Sequence, residues 1–339
     1  MPTLVVGMLR GVDRRRLTLD KDFEQIAWDA RLRQDAQRLV RLALAEDLGP
    51  QGDCTTAALV PEDSAGRAAV VVRQSGVIAG LGAAAVVLRE VDRRLQWTPQ
   101  VEDGTPVAPG ACVARIDGPA RGLLTAERTL LNLLGRLSGI ATLTRKYVQA
   151  VSGTKARIYD TRKTTPGWRR LEKYAVRAGG GRNHRTGLYD AVLIKDNHLA
   201  FAAGAASSGP LAFSPADAIL TARQWLADRV PEPVRSRMIV EIEVDGLEPL
   251  EEVFAAGPDL VLLDNMSPAQ LRQAVARRDA HWPHIELEAS GGVSLEMVRA
   301  IAETGVDRIS VGALTHGAAS LDVGLDWLPD PAGQQAPRK

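Results

Sequence analysis

From residue 156 onward, short apolar runs alternate with helical stretches, and each run stops at a polar residue or a glycine. The runs are Ala156 to Tyr159, Ala191 to Ile194, Met238 to Val244, Leu260 to Leu263, Ile285 to Ala289 and Arg308 to Val311. Their length suits strands, and the stretches between them suit helices. Ser267, Pro268 and Gln270 spell a helix start with a capping box, and Ser294 caps a helix ending before Gly305. Such alternation predicts parallel strands with right-handed crossovers, either closed into a barrel or opened as a doubly wound sheet. The barrel is favoured, so the expected class is α/β: an irregular α/β barrel over 151–318 with a smaller N-terminal α+β domain over 36–150.

That smaller domain reads as a helix from Gln37 to the Gly49-Pro50 stop, then strands at Ala68 to Arg73, Gly76 to Ala79 and Thr105 to Ala114, with a helix from Ala83 to Val91 among them. A helical stretch from Thr125 to Ala150, expected to break near Gly139, bridges to the barrel. Residues 1–35 carry Arg14-Arg15-Arg16 without clean periodicity and read as an extension of uncertain order. Residues 319–339 are expected to return to the N-terminal domain and finish in a disordered tail.

Charge excludes whole classes of partner. Lys and Arg total 42 against 41 acids, so no global field draws the chain to nucleic acid or an anionic membrane. Apolar runs fall short of the ~18–20 residues that span a bilayer, and Thr3 to Met8 is too short for a signal-peptide core, so an unprocessed protein is expected. The two cysteines, Cys54 and Cys112, form no CxxC; they exclude a disulfide framework and fit a reducing cytoplasm.

In either parallel architecture the ligand site lies at the C-terminal strand ends. Past the first run stand Asp160, Arg162, Lys163 and Thr164, and past the second Lys195, Asp196, Asn197 and His198. Glu241, Glu243 and Asp245 follow at period two, hence on one face, then Asp264 and Asn265. Ser290-Gly291-Gly292 and Gly312 close the last two runs, where exposed backbone N–H groups suit phosphate oxygens. Between Arg157 and Lys195 ten Lys/Arg face three acids. A solvated helix face accounts for Arg169, Arg170, Lys173 and Arg177. Lys195 is different, because a lysine closing an apolar strand needs an anion or a nucleophilic use. Arg162 and Arg185 offer forks that match carboxylate or phosphate, Lys163 a point charge. Glu243 and Asp264 suit Mg²⁺, which takes one or two carboxylates and completes its shell from water and phosphate. Gly80-Leu81-Gly82 imitates a dinucleotide fingerprint but lacks its distal acid. There is no P-loop or GxSxG, and His281 with His284 flanks Trp282-Pro283 in a linker.

Asp160-Thr161-Arg162-Lys163-Thr164-Thr165-Pro166-Gly167, then Gly179-Gly180-Gly181 with Asn183-His184-Arg185, then Lys195-Asp196-Asn197-His198, resemble quinolinate phosphoribosyltransferase in order and spacing. Glu127-Arg128-Thr129, Leu131-Asn132, Ser138 to Ala141, Glu241 to Asp245, Leu262 to Asn265, Glu288 to Gly292 and Val311 to His316 extend the resemblance over about 36–328. The resemblance implies transfer of phosphoribose from phosphoribosyl pyrophosphate to the ring nitrogen of quinolinate, with Mg²⁺ and decarboxylation, yielding nicotinate mononucleotide, pyrophosphate and CO₂ for NAD synthesis. It implies that Arg128, Arg162, Lys163, His184, Arg185 and Lys195 bind quinolinate. Lys163, Lys195, Glu243, Asp264, Ser290, Gly291, Gly292 and Gly312 would bind phosphoribosyl pyrophosphate, with Glu243 and Asp264 on the metal. It further implies a homodimer in which Arg128 crosses to the neighbouring subunit's site, with a higher oligomer possible. The N-terminal 35 residues and Ala202 to Ser214 are longer than the family's usual pattern.

Three rivals use parts of the same residues. A lyase with a Schiff base on Lys195 leaves the arginines without a shared task. A related phosphoribosyltransferase for another aromatic acid, including the molybdenum-transport-associated homologues, is separated by the match at Lys195 to His198. An idle sensor of pyridine carboxylates would lose the metal or phosphate residues, and both sets are present.

Overall fold

A computed structural model describes residues 21–205 and 213–329. The chain begins with α1 (Ala30–Leu48) and α2 (Cys54–Leu59), then β1 (Ala65–Val72), β2 (Gly76–Val77), α3 (Leu81–Val91), β3 (Gln96–Pro99), β4 (Pro106–Val107), β5 (Cys112–Pro119) and α4 (Ala120–Ala150). Next come β6 (Arg157–Tyr159), α5 (Arg169–Ala178), β7 (Ala191–Ile194), α6 (Asp196–Ala205), α7 (Pro215–Arg229), α8 (Glu232–Arg235), β8 (Ile239–Val244) and α9 (Leu250–Ala255). β9 (Leu260–Asp264), α10 (Pro268–His281), β10 (Glu286–Ser290), α11 (Val298–Ala302), β11 (Arg308–Ser310), α12 (Ala313–His316) and β12 (Val323–Trp327) complete the order.

Six parallel strands form one sheet in the order β6-β11-β10-β9-β8-β7, and an isolated bridge from Tyr159 to Arg182 extends it beyond β6. Among the described residues no ladder joins that bridge to β7, so the barrel is irregular, its ring of hydrogen bonds interrupted there. The small domain is antiparallel, β12-β1-β5-β3, with the C-terminal strand β12 paired to β1 from Ala68↔Trp327 to Val72↔Val323. Residues 330–339, where a disordered tail is expected, lie outside the described residues.

Helix α4 is shared between two cores. Leu130, Leu131, Leu133 and Leu134 pack in the small domain, whereas Leu137, Ile140, Ala141 and Tyr147 pack with the barrel. The helix is continuous, and the break expected near Gly139 is absent. A Cβ at Gly139 would overlap the carbonyl oxygen of Ala319, so glycine serves close approach rather than a bend. Ser267 caps α10 with the reciprocal Gln270 box, as its sequence predicts. Ser294 instead opens a turn through Leu295 to Met297, and the helix proper starts at Val298.

The N-terminal boundary differs from the expected one. α1 starts at Ala30, with Asp29 capping Leu32 N–H, and Phe23, Ile26, Leu32 and Ala36 are buried. Residues 21–35 therefore belong to the packed structure. Their contacts lie far away in sequence, on the barrel and on α3, so no local periodicity announces them. Residues 1–20 of the expected extension lie outside the described residues, as do 206–212 of the long Ala202 to Ser214 stretch. No helix among the described residues is long and apolar enough to cross a membrane.

Candidate active site

Every second residue of a barrel strand points inward, and the register arranges those residues in tiers. Leu193 stands beside Glu241, Glu243 beside Leu262, Leu262 beside Glu288, and Asp264 beside Ser290. Lys195, Glu243, Asp264, Ser290 and Gly312 thus reach the C-terminal mouth, where a cavity of about 820 Å³ opens. Eleven of the twelve candidate residues line it: Arg162, Lys163, His184, Arg185, Lys195, Glu243, Asp264, Ser290, Gly291, Gly292 and Gly312. Arg128 is the exception. It is exposed on α4 and is not part of this chain's cavity lining.

One side of the cavity is cationic. Arg162 has a buried Nε with no hydrogen-bond partner, so a donor stands ready for an anion. Arg185 is buried, its guanidinium only 3.5 Å from the Ala191 carbonyl. Lys195 pairs with Glu243, the anion that a lysine at this strand end requires. That contact engages the lysine nitrogen with a carboxylate, which disfavours the Schiff-base reading.

The opposite lip is built from acids and glycines. Asp264 ends β9 and accepts from Asn265 Nδ2 at 2.6 Å. Asn265 has a left-handed backbone, φ 54, which asparagine tolerates better than most residues. The reason lies across the loop: Gly291, at φ 96, packs so tightly against Asn265 that a Cβ there would overlap its side chain. The two strand ends therefore interlock, and Asn265 N–H donates to the Ser290 carbonyl at 2.9 Å. Hard carboxylate oxygens on an open lip fit a divalent ion such as Mg²⁺.

The floor was the least expected part. His184 Nε2 lies 3.2 Å from Glu241 and 3.5 Å from Glu288, and both glutamates are fully buried. The backbone N–H of Arg185 donates to His184 Nδ1 at 2.8 Å, which puts the ring proton on Nε2. Burial holds the imidazole pKa down at about 4, and burial pushes Glu241 up to about 8 and Glu288 up to about 7. One imidazole and two carboxyls are also metal-ligand types, but an ion would first have to displace the protons these carboxyls hold. His184 therefore lines the cavity with both nitrogens engaged by the protein. Glu241 was legible at period two with Glu243. Glu288 sits inside a matched motif but had no assigned task, and its inward register is the signal.

The helical cations divide in two. Arg177 is exposed, as a solvated face requires. Lys173 is completely buried, donating to the His184 carbonyl at 2.8 Å and pairing with Asp160, while Arg170 pairs with Asp35 at 3.2 Å. The solvated-face expectation fails for these two, and for the half-buried Arg169, which donates to the Thr186 carbonyl at 3.1 Å, because α5 packs between the barrel and α1.

Comparison with known proteins follows the same geometry. Residues 53–138 match the family description "Quinolinate phosphoribosyl transferase, N-terminal domain", and 140–326 match its "C-terminal domain". A nicotinate-nucleotide pyrophosphorylase [carboxylating] of Mycobacterium leprae is 48% identical over 295 residues, covering 86% of this chain and 96% of that protein. A probable enzyme of the same name from Bacillus subtilis is 41% identical, covering 86% and 92%. Among solved structures, the nicotinate-nucleotide pyrophosphorylase of Francisella tularensis superimposes with a TM-score of 0.79 at 37% identity, covering 91% of this chain and all of that one.

Proposed function

The chain belongs to the quinolinate phosphoribosyltransferase family, and on that premise we propose that its cavity binds quinolinate and phosphoribosyl pyrophosphate side by side. The enzyme transfers phosphoribose to the pyridine nitrogen with loss of CO₂, giving nicotinate mononucleotide and pyrophosphate for NAD synthesis. The observation that carries this reading is the division of one cavity into a cationic wall and an acid-and-glycine lip.

Quinolinate brings two adjacent carboxylates, and Arg162, Arg185 and Lys195 are the wall that meets them. The forked donors of the two arginines fix the ring so that its nitrogen faces the ribose carbon, which removes much of the orientational cost of reaction. His184 supports that wall from below, held as a neutral ring by Arg185 N–H and the two glutamates. Lys163, exposed at the mouth, lies between the two substrates. Ser290, Gly291, Gly292 and Gly312 direct polar groups at phosphate oxygens, and Lys163 with Lys195 opposes the charge growing on the departing pyrophosphate. Glu243 and Asp264 hold Mg²⁺, which when bound supplies further neutralisation of the pyrophosphate. Once alkylated, the ring nitrogen is cationic and accepts the electrons of the C2 carboxylate as CO₂ departs.

The same reading makes the protein a homodimer. Arg128, exposed on α4 and outside its own cavity, completes the cationic wall of the partner subunit. Cytoplasmic residence is supported by Cys54 and Cys112, both free thiols.

The test is direct. Purified protein is incubated with phosphoribosyl pyrophosphate and Mg²⁺, quinolinate or nicotinate is added separately, and mononucleotide and CO₂ are followed. Product from quinolinate with one CO₂ per turnover is expected. Product from nicotinate alone would reassign the substrate, and ligand binding without product would favour the sensor.

A further inference from the structure

Residues 21–29 form a strap across the N-terminal mouth of the barrel, opposite the cavity opening. The strap precedes the span 53–326 that the two family descriptions match. Lys21 reaches the Met238 carbonyl and Asp259, both at 3.2 Å. Asp22 accepts from Arg182 at 2.8 Å, from Arg308 at 3.2 Å and from the Tyr159 hydroxyl at 3.2 Å. At its far end Trp28 lies on Gly82 of α3, where a Cβ would overlap the indole. Gly82 of the pattern that imitates a dinucleotide fingerprint thus makes room for the strap, while Gly80 makes room for Leu137 of α4.

Between those anchors the strap grips one short segment of the site. Gln25 exchanges two hydrogen bonds with the Asn183 backbone, each 3.0 Å, and Ile26 N–H donates to the Asn183 side chain at 2.8 Å. Phe23, only 6% exposed, stacks on the His184 imidazole with centroids 4.2 Å apart and planes 25° apart. The Arg308 guanidinium sits 5.4 Å from the Phe23 ring centre. His184 is thereby held at both nitrogens and on one face: Arg185 N–H at Nδ1, the glutamates at Nε2, and Phe23 against the ring.

We propose that Phe23 is a positioning residue for the quinolinate half of the cavity, acting through His184 rather than by touching substrate. A flat aromatic face under the imidazole keeps that ring level, and the Arg185 amide bonded to it keeps its place. A side chain of similar bulk without a flat face fills the space but leaves the ring free to tilt. Positioning losses of this kind cost about tenfold or more in productive binding. Phe23 also packs with Ile239 of β8 and Leu260 of β9, but at the N-terminal ends of those strands, whereas Glu243 and Asp264 stand at their C-terminal ends. The substrate named here rests on the function proposed above.

The experiment compares Phe23→Leu, Phe23→Tyr and the unaltered protein. KM is measured for each substrate, with Tm alongside. Phe23→Leu is expected to raise the quinolinate KM about tenfold while the phosphoribosyl pyrophosphate KM stays within about twofold, and Phe23→Tyr is expected to restore it. Equal movement of both KM values, no movement of either, or failure of tyrosine to rescue would each overturn the proposal. Should Phe23→Leu not fold, Gln25→Ala carries the same readouts. Hydrogen exchange at the Arg185 amide separates this inference from the function reading. Faster exchange in Phe23→Leu is expected whichever aromatic acid the protein uses, unchanged exchange would sink the strap alone, and absent quinolinate turnover in the unaltered protein would sink the substrate alone.

Discussion

The backbone N–H of Arg185 donates to Nδ1 of its neighbour His184 at 2.8 Å, so a single peptide unit sets the tautomer of a ring that lines the cavity. Because burial lowers the His184 pKa to about 4, this histidine is expected to stay neutral, with its proton on Nε2, throughout the pH range of activity. Side-chain nitrogen NMR of selectively labelled histidine would show one ring with no titration between pH 5 and 8. Titration of all five histidine rings within that window would contradict the assignment, and any activity limb there belongs to a group other than His184.

Arg162 and Asp264 both line the cavity, and their removal is expected to have different consequences. Arg162→Ala removes charge-assisted hydrogen bonds worth about 1.5–3 kcal/mol, so quinolinate binding should weaken roughly 10- to 150-fold while phosphoribosyl pyrophosphate binding changes little. Asp264→Ala should chiefly raise the Mg²⁺ and phosphoribosyl pyrophosphate concentrations needed, and chelation of Mg²⁺ from the unaltered enzyme should stop turnover reversibly. Isothermal titration with each ligand distinguishes the two; equal losses of both ligands in each variant would dissolve the division of labour.

Arg128 lies outside the cavity of its own chain, which makes complementation between inactive variants informative. Arg128→Ala and Arg162→Ala should each have little activity alone. After unfolding and refolding together, half the dimers are mixed, and each mixed dimer holds one site with both arginines, so about a quarter of full activity should return. No recovery, with mixed dimers demonstrated by mass after one variant is isotope-labelled, would place Arg128 outside the shared site.

How much of this was legible depended on whether the signal was local. The run from Leu260 to Leu263 followed by Asp264 states both a strand and its end, because alternation and termination are properties of consecutive residues. The same holds for Ser267 and Gln270, a cap within four residues. Long motifs around Arg162, His184 and Lys195 carried the family resemblance. Phe23 was invisible for the opposite reason: its partner His184 is far along the chain, and no period or cap encodes a stacking contact of that range. Lys173 misled because α5 is amphipathic by charge, and only the tertiary packing against Asp160 and His184 shows that part of its charged face is interior.

Glu288 and Glu241 give the fold a pH dependence of definite sign. In the unfolded chain a glutamate ionises near 4.5, whereas in the fold Glu288 keeps its proton to about 7 and Glu241 to about 8. Between those values the folded state binds protons the unfolded state does not, so stability falls as pH rises. His184 acts oppositely, costing stability as pH falls from 6.5 toward 4. Above pH 6.5 the glutamates act without that opposition. Glu288→Gln, neutral at every pH, should therefore flatten the decline of Tm between pH 6.5 and 8, as calorimetry at several pH values would show. A slope equal to that of the unaltered protein would mean Glu288 is ionised in the fold.

Lys173 and Asp160, both with no exposed side chain, form a buried ion pair beneath the site. The ammonium also donates to the His184 carbonyl, and Asp160 accepts from His184 N–H at 2.9 Å and Asn183 Nδ2 at 2.7 Å. Removing the lysine alone leaves a carboxylate inside a low-dielectric interior, so Lys173→Met should cost about 3–5 kcal/mol of stability although methionine nearly matches its volume. Asp160→Asn in the same chain removes the stranded charge and should return part of that loss, a coupling that a double-mutant cycle by chemical denaturation measures. Additive losses would mean that the two groups do not act as a pair. Because the pair holds both backbone groups of His184, the double variant should bind quinolinate more weakly than its recovered stability suggests, which separates its structural role from its hold on the site.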